Sequence, residues 1–380
     1  MTQSTEDWQT TAALIGPRAE RAPDPIRVIN ESTELLKELR TPNRSAGGTF
    51  AELKGRYASA CRTYFTAAAV SRRRVLAEEV RTQLSDLLFG LRAALERRIV
   101  DEMSATAFDE HFLREATKKS FFGVSAKQGV SIRYPLVSCV PTRLCGGRCY
   151  AHDGRDREIH HIFRGAINLY LGANFEEGTT EARAVIMDAL GSAISHGIRA
   201  ARADAAMAAK AGYHREPRIR FSHVGEMAST PDFTNSLARR IRELDPDMAC
   251  VIYTRHPSAR KLDPSLLRVN FTVEGSSDSR LRHAPSWARL VNVAWDGKLL
   301  PDAATNFLEH HGPNHSPPRG EGHVCPVSAS EGAIQSCDAA RCDLCFTPTV
   351  VRSKAFGADK RRILDVSVGK SYDPNRAVPN

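Results

Sequence analysis

The chain has no uninterrupted apolar run long enough for a membrane helix. Its N-terminus, MTQSTEDWQT, lacks the basic start and apolar core of a secretory signal. A membrane protein is therefore not expected, and a reducing cytoplasm is the expected compartment. No RGG tract, C2H2 finger or leucine zipper is present, so no named nucleic-acid module is indicated. No internal repeat is visible either.

What is present is a chain of 380 residues, room for one large domain or two smaller ones. Hydrophobic residues make up 42% and charged residues 26%, as in ordinary globular proteins. A formal net charge of +9 favours an anionic partner such as nucleic acid, a nucleotide or an acidic protein. A solvated basic surface explains that charge equally well.

The most informative residues are the cysteines. Seven of the nine form two spaced groups, and only Cys61 and Cys250 stand alone. The first group is Cys139-x5-Cys145-x3-Cys149, followed by Tyr150-Ala151-His152. The second is Cys325-Pro326, then Cys337-x4-Cys342-x2-Cys345. In a reducing compartment, closely spaced thiols bind metal more readily than they form disulfides.

Four thiolates in the second group can complete a closed structural zinc site or a [4Fe–4S] cluster. A C-x2-C pair brings two sulfurs to one metal from a tight turn. The first group offers three thiols, which leaves one iron of a [4Fe–4S] cube open. Alternatively, His152 follows Cys149 at ligand spacing and could close a Cys3His zinc site. Unligated buried thiols are a third reading, against which Gly146, Gly147 and Arg148 are poor core neighbours.

Along the chain, residues 1–30 read as a flexible N-terminus and 31–120 as a helical domain. Within the latter, residues 71–100 place Val75, Leu76, Val80, Leu84, Leu87, Leu88, Leu91 and Leu95 at three- and four-residue steps, an amphipathic helix. Residues 121–300 read as an α/β core that carries the first cysteine group. It has short β-like pieces after Phe121 and helices near 160–171 and 180–211. Strands follow at 218–223, 249–254, 267–273 and 290–294. Thr230 and Pro231 look like the cap and first residue of a helix ending near Leu244. Residues 301–350 read as an irregular Cys-rich metal-binding segment and 351–380 as a tail. Strand–helix–strand order implies an α/β fold: a partial (β/α) barrel or an open parallel sheet.

In such folds, sites form at the C-terminal ends of strands. Those ends are polar here: His223-Val224-Gly225-Glu226, Tyr253-Thr254-Arg255-His256, Glu274-Gly275-Ser276-Ser277 and Trp295-Asp296-Gly297. Glu226 and His223 are the leading catalytic candidates, with Arg255 and Asn270 beside them. Gly225, Glu226, Tyr150 and Ser276 are candidates for cofactor contact. A glycine beside a carboxylate lets backbone approach a ligand closely.

These residues carry two resemblances. The segment ending Gly147-Arg148-Cys149-Tyr150-Ala151, the strand ending Gly225-Glu226, the VIYTR strand and the closing CP…C…C-x2-C-F resemble the phage "gene product 88" family over about residues 121–346. That family typically has Gly-Asp where this chain has Gly225-Glu226, and the likeness implies an architecture rather than a reaction. More distantly, the order of three cysteines, strands, Gly225-Glu226 and four cysteines is similar to radical S-adenosylmethionine enzymes. That likeness implies a partial barrel, a [4Fe–4S] cluster on Cys139, Cys145 and Cys149, S-adenosylmethionine near Gly225-Glu226, and an auxiliary cluster on Cys325, Cys337, Cys342 and Cys345. The departure is the C-x5-C-x3-C spacing in place of C-x3-C-x2-C, with His152 where a third cysteine would fall.

The expected function is an iron–sulfur enzyme acting on a nucleotide or nucleic-acid-related substrate by reductive or radical chemistry, served by a reductant protein. A zinc-stabilised module that binds nucleic acid or protein without catalysis is the alternative. A metal-free interaction protein leaves seven clustered thiols without a role.

Overall fold

The computed structural model describes residues 23–41, 50–71, 76–105, 121–125, 129–142, 145, 149–152, 158–210, 212, 215–294, 298–301 and 303–308. The second cysteine group and Trp295-Asp296-Gly297 lie outside the described residues.

The N-terminal part is helical: α1 (Pro25–Arg40), α2 (Phe50–Arg56), α3 (Ala58–Val70) and α4 (Glu78–Ala105). Helix α1 starts ahead of the expected residue 31. The Pro23-Asp24-Pro25 run, within the stretch read as a flexible N-terminus, is a helix start. Pro25 occupies the first helical position, and the Asp24 side chain accepts from the Ile26 amide at 3.1 Å. Helix α4 starts at Glu78 rather than near residue 71, so Leu76 lies outside it; it buries Leu84, Leu88, Leu91 and Leu95 along one stripe, as the periodicity predicts, and Ile99 with them. Arg92 and Glu96 lie on the same stripe and are also buried.

The remainder is a mixed α/β unit. A hairpin of β1 (Phe122–Ser125) and β2 (Gly129–Ile132) is followed by α5 (Ile159–Glu177) and α6 (Thr180–Lys210). Then come β3 (Arg218–Phe221), α7 (Pro231–Leu244), β4 (Ala249–Thr254), β5 (Arg268–Val273), β6 (Arg289–Ala294) and β7 (Thr305–Leu308). Strand β7 corrects the expectation that the chain is irregular from residue 301. Thr230 does precede α7 with Pro231 at its first position, but its hydroxyl does not cap the helix. Instead it donates to the Met227 carbonyl at 3.2 Å and pairs with the Tyr134 hydroxyl at 2.8 Å.

The seven strands form one sheet in sequential order, β1 to β7. Strand β1 is antiparallel to β2, and every later pair is parallel. All C-terminal ends of the parallel strands therefore lie on one edge. No helix among the described residues is long and apolar enough to cross a membrane.

The two faces of the sheet differ. Ile219, Phe221, Cys250, Ile252, Val269, Phe271 and Val273 share one core with Phe163, Phe233, Leu237 and Ile241 from the helices, and with the leucines of α4. Registry places Ser131, Arg220, Val251, Tyr253, Asn270, Arg289 and Thr305 on the opposite face. There the rings of Tyr253 on β4 and Phe307 on β7 meet at 6.5 Å between centroids. In a flat sheet, two strands three positions apart stand about 14 Å from each other. Two side chains of this face thus meet across three strand positions. Val251, Asn270 and Thr305 on it are at most 1% exposed.

Strand β3 ends in the turn that organises the site. Ser222 and Gly225 have positive φ, 64° and 73°. A Cβ on Gly225 would lie 2.5 Å from the Tyr134 carbonyl carbon and 2.6 Å from the Pro135 oxygen. Both backbone angle and space thus require glycine. We predict that Gly225→Ala lowers stability by about 2–4 kcal/mol, whereas Gly191→Ala within α6, where an added Cβ meets nothing within 4 Å, raises it by about 0.5–1 kcal/mol. Urea unfolding of both variants measures the contrast.

Candidate metal centre

The segment after β2 carries the first cysteine group. It leaves the sheet as Arg133-Tyr134-Pro135, makes a 3-10 turn at Leu136–Ser138 and reaches Cys139. Its backbone is held on two sides. The Tyr134 amide donates to the Val224 carbonyl at 2.8 Å, and the His223 amide donates to the Ile132 carbonyl at 2.7 Å. The Glu226 amide donates to the Ser138 hydroxyl at 2.8 Å. The turn after β3 thus grips the cysteine segment directly, and the close approach that Gly225 permits is to the chain's own backbone.

The second hold comes from α4. Glu96 is fully buried, and its Oε2 accepts from the Val137 amide at 3.1 Å. Its other oxygen pairs with the buried Arg92 guanidinium. Burial pushes the Glu96 carboxyl up, against the pull of Arg92 and of the Val137 and Leu136 amides. Arg92 stacks over the Tyr64 ring at 5.3 Å. The Tyr64 hydroxyl in turn pairs with Nδ1 of His152 at 2.7 Å, just beyond Cys149. Buried polar groups from α3 and α4 therefore fix the cysteine loop both before Cys139 and after Cys149.

The three thiols come into one neighbourhood. Cys139 and Cys149 pack against Leu136, Ala151, Val224 and Phe89. Burial pushes the Cys149 thiol up to about 12, with Cys145 adding to the rise. Burial also holds Cys139 well above its ordinary value, reinforced by Glu226, Cys149 and Cys145. Cys145 is raised by burial too, while Arg255 pulls it back. Such thiols ionise readily only beside a cation. They do not converge on a point: among the described residues, the one trio of Cys, His, Asp or Glu ligand atoms within 4.8 Å of one another is Glu158, His160 and His161. Sulfurs on one zinc lie about 3.8 Å apart, given Zn–S of about 2.3 Å.

Beside the thiols lies a strand-end charge network. Glu226 is 6% exposed. It accepts from the Thr254 hydroxyl at 2.5 Å and the Arg255 amide at 3.1 Å. Burial pushes its carboxyl up, and the Thr254 and Arg255 hydrogen bonds pull it down. The Arg255 side chain donates to Glu274 at 2.9 Å. Glu274 also accepts from Thr142 at 2.8 Å, and the Thr142 oxygen accepts from the Cys145 amide at 3.0 Å. Arg280 and Asp278 complete the group through a 2.6 Å contact. Burial works against the Arg255 charge, but Cys145, Glu226 and Glu274 outweigh it and hold the guanidinium charged.

Of the residues singled out from sequence, Cys139, Cys145, Cys149, Gly225, Glu226 and Arg255 are brought together here. The amide of His223 ties β3 to β2. Asn270 lies mid-strand, in register with Tyr253 on the face opposite the helix-packed core. Ser276 is exposed in the turn after β5, and nothing is described for the Tyr150 side chain. Sequence reading missed Glu96, Arg92, Tyr64, Thr142 and Ser138. The one available signal was Arg92 and Glu96, four residues apart on the apolar stripe of α4.

Comparison with known proteins gives no match: no protein family, no curated protein and no solved structure matches the chain. The resemblances drawn above therefore rest on their motifs alone.

Glu96→Gln removes the counter-charge of a buried arginine and should lower stability by about 3–5 kcal/mol in denaturant unfolding. Tyr64→Phe should cost only about 1 kcal/mol but should speed alkylation of Cys149 several-fold while leaving the buried core residue Cys250 unchanged. Peptide mapping after iodoacetamide labelling reads both sites, and equal rates in variant and wild type would remove the proposed hold on the loop.

Proposed function

We propose that this chain is an iron–sulfur protein in which Cys139, Cys145 and Cys149 hold a [4Fe–4S] cluster at the C-terminal edge of a partial (β/α) barrel. The observation that carries the reading is the thiol trio itself. Three half-buried thiols share one anchored loop, yet their sulfurs do not all lie within 4.8 Å of one another. The irons of a cube stand apart from one another, so its thiolates need not meet at one point. The donor set therefore fits a cluster better than the zinc alternative. The barrel is supported by the sequential parallel strands and by the contact of Tyr253 with Phe307 across the sheet.

Three ligands leave one iron open, and a bound cluster would supply an electron to a substrate or second cofactor held there. The chain's own residues set the surroundings of that position. Glu226 and Arg255 form a rigid wall across the ends of β3 and β4. Leu136, Val224 and Phe89 exclude water from the thiols. The Arg255 and Arg280 guanidinium groups offset negative charge on the cysteine loop. S-adenosylmethionine beside Gly225-Glu226 is the cofactor that the motif order favours. We take the protein to be an enzyme of reductive or radical chemistry on a nucleotide or nucleic-acid-related substrate, working in a reducing cytoplasm with a reductant protein. The net charge of +9 favours such a substrate.

The test is anaerobic expression with iron and cysteine supplied. Brown protein with about eight irons per chain is expected if both cysteine groups hold cubes. Serine at Cys325, Cys337, Cys342 and Cys345 together should leave about four irons, and serine at Cys139, Cys145 and Cys149 should remove the other four. Cys250→Ala should change nothing in iron content. Colourless protein with stoichiometric zinc would overturn the reading and restore a zinc-stabilised binding module.

A further inference from the structure

The face of the sheet opposite the helix-packed core carries a cation that the metal centre does not use. Arg220 projects from β3 onto this face, opposite Val251 and Ser131 in register. Its guanidinium lies over the Tyr253 ring, 4.5 Å from the centroid. Its Nε is buried and makes no hydrogen bond, and no described carboxylate forms an ion pair with it. Other arginines of the sheet and its strand ends do have an acid: Arg255 has Glu274, Arg280 has Asp278, Arg268 has Glu216 and Arg215 has Asp204.

Leaving a guanidinium half-buried without an acceptor carries a desolvation penalty. The arrangement is instead suited to an incoming anion. The ring beneath supports the planar guanidinium, and such a fork binds phosphate through two parallel N–H donors. Around it the same face supplies Ser131, Asn270 and Thr272 as further polar groups. Tyr253 also meets Phe307, so an aromatic surface lies next to the cation. A nucleoside monophosphate has the matching pair of features, a planar base and a dianionic tail.

We propose that Arg220, stacked on Tyr253, is the phosphate-anchoring residue of a nucleotide-binding site on this face of the sheet. This rests on the proposed reading of the substrate as nucleotide-related and names that substrate's anionic group. Binding at Arg220 requires no cluster ligand, so it is separable from iron content.

Adenosine monophosphate, adenosine, inorganic phosphate and succinate are the probes, titrated calorimetrically into the full chain. Iron content is measured on each preparation. Wild type should bind the monophosphate, bind inorganic phosphate more weakly and fail to bind adenosine. Arg220→Gln should lose at least about tenfold in affinity for the monophosphate, and Arg220→Lys should lose a few-fold because a point charge replaces the fork. Tyr253→Leu keeps the charge and removes its platform, and should weaken binding about three- to tenfold. Affinity should fall with added salt. Absence of monophosphate binding in wild type would overturn the proposal, as would succinate binding in its place or equal affinity in wild type, Arg220→Gln and Tyr253→Leu. Arg220 would then only brace the sheet. If Arg220→Gln does not fold, Tyr253→Leu and the lysine variant decide the matter. A colourless zinc protein that binds the monophosphate through Arg220 would remove the iron reading and keep this one. An iron-loaded protein indifferent to Arg220 would do the reverse.

Discussion

The site depends on how one short stretch of backbone is held. Tyr134 donates to Val224, Val137 to Glu96, Ser138 to Pro135 and Cys139 to Leu136, while Pro135 has no N–H to place. A buried loop without such partners would carry several unsatisfied polar groups, each costing about 1–3 kcal/mol. One of the acceptors is a carboxylate, Glu96, which reaches in from a helix far away in sequence. The loop's conformation is thus set by elements on both sides of it.

That dependence explains the density of buried charge. A carboxylate that holds a loop amide in a dry place needs a counter-charge, and Arg92 supplies it from one helical turn away. Arg92 needs further donors' partners and a covering surface, which Tyr64 supplies through its hydroxyl and ring. The strand-end network repeats the logic with Glu226, Arg255, Glu274 and Arg280. In each case a charge is buried because it positions backbone, and a second charge is buried to keep the first. The cysteine loop lies between these two networks and is electrostatically coupled to both.

Much of the fold is legible in the sequence. Strands β3 to β6 fall where apolar runs end in polar clusters, and α6 and α7 begin and end close to their Ala-rich run and their Thr230-Pro231 start. Strand β7 is missed because Thr305-Asn306-Phe307-Leu308 is short and follows a proline. Helix α1 is missed at its start because Asp24-Pro25 serves as a helix entrance rather than a break. At the site, Cys139, Cys145, Cys149 and Glu226 stand out locally, through spacing and through a glycine neighbour. Glu96 and Tyr64 do not, since their partners at Val137 and His152 are separated by 41 and 88 residues. Arg220 is visible only as an alternation, Arg218-Ile219-Arg220-Phe221, whose meaning appears once the two faces are assigned.

The strand order bears on how the molecule is made. A sheet laid down in the sequence β1 to β7 never requires a later strand to insert between two earlier ones. The hairpin of β1 and β2 supplies a finished edge, and each following strand docks on the one just synthesised. Assembly can therefore keep pace with translation, each new strand adding at one growing edge. By the time that edge reaches β3, the helices carrying Tyr64 and Glu96 have long left the ribosome. The segment leading to Cys139 thus meets its helical anchor Glu96 before most of the sheet exists, while its strand-end partners Val224, Glu226 and Glu274 arrive later.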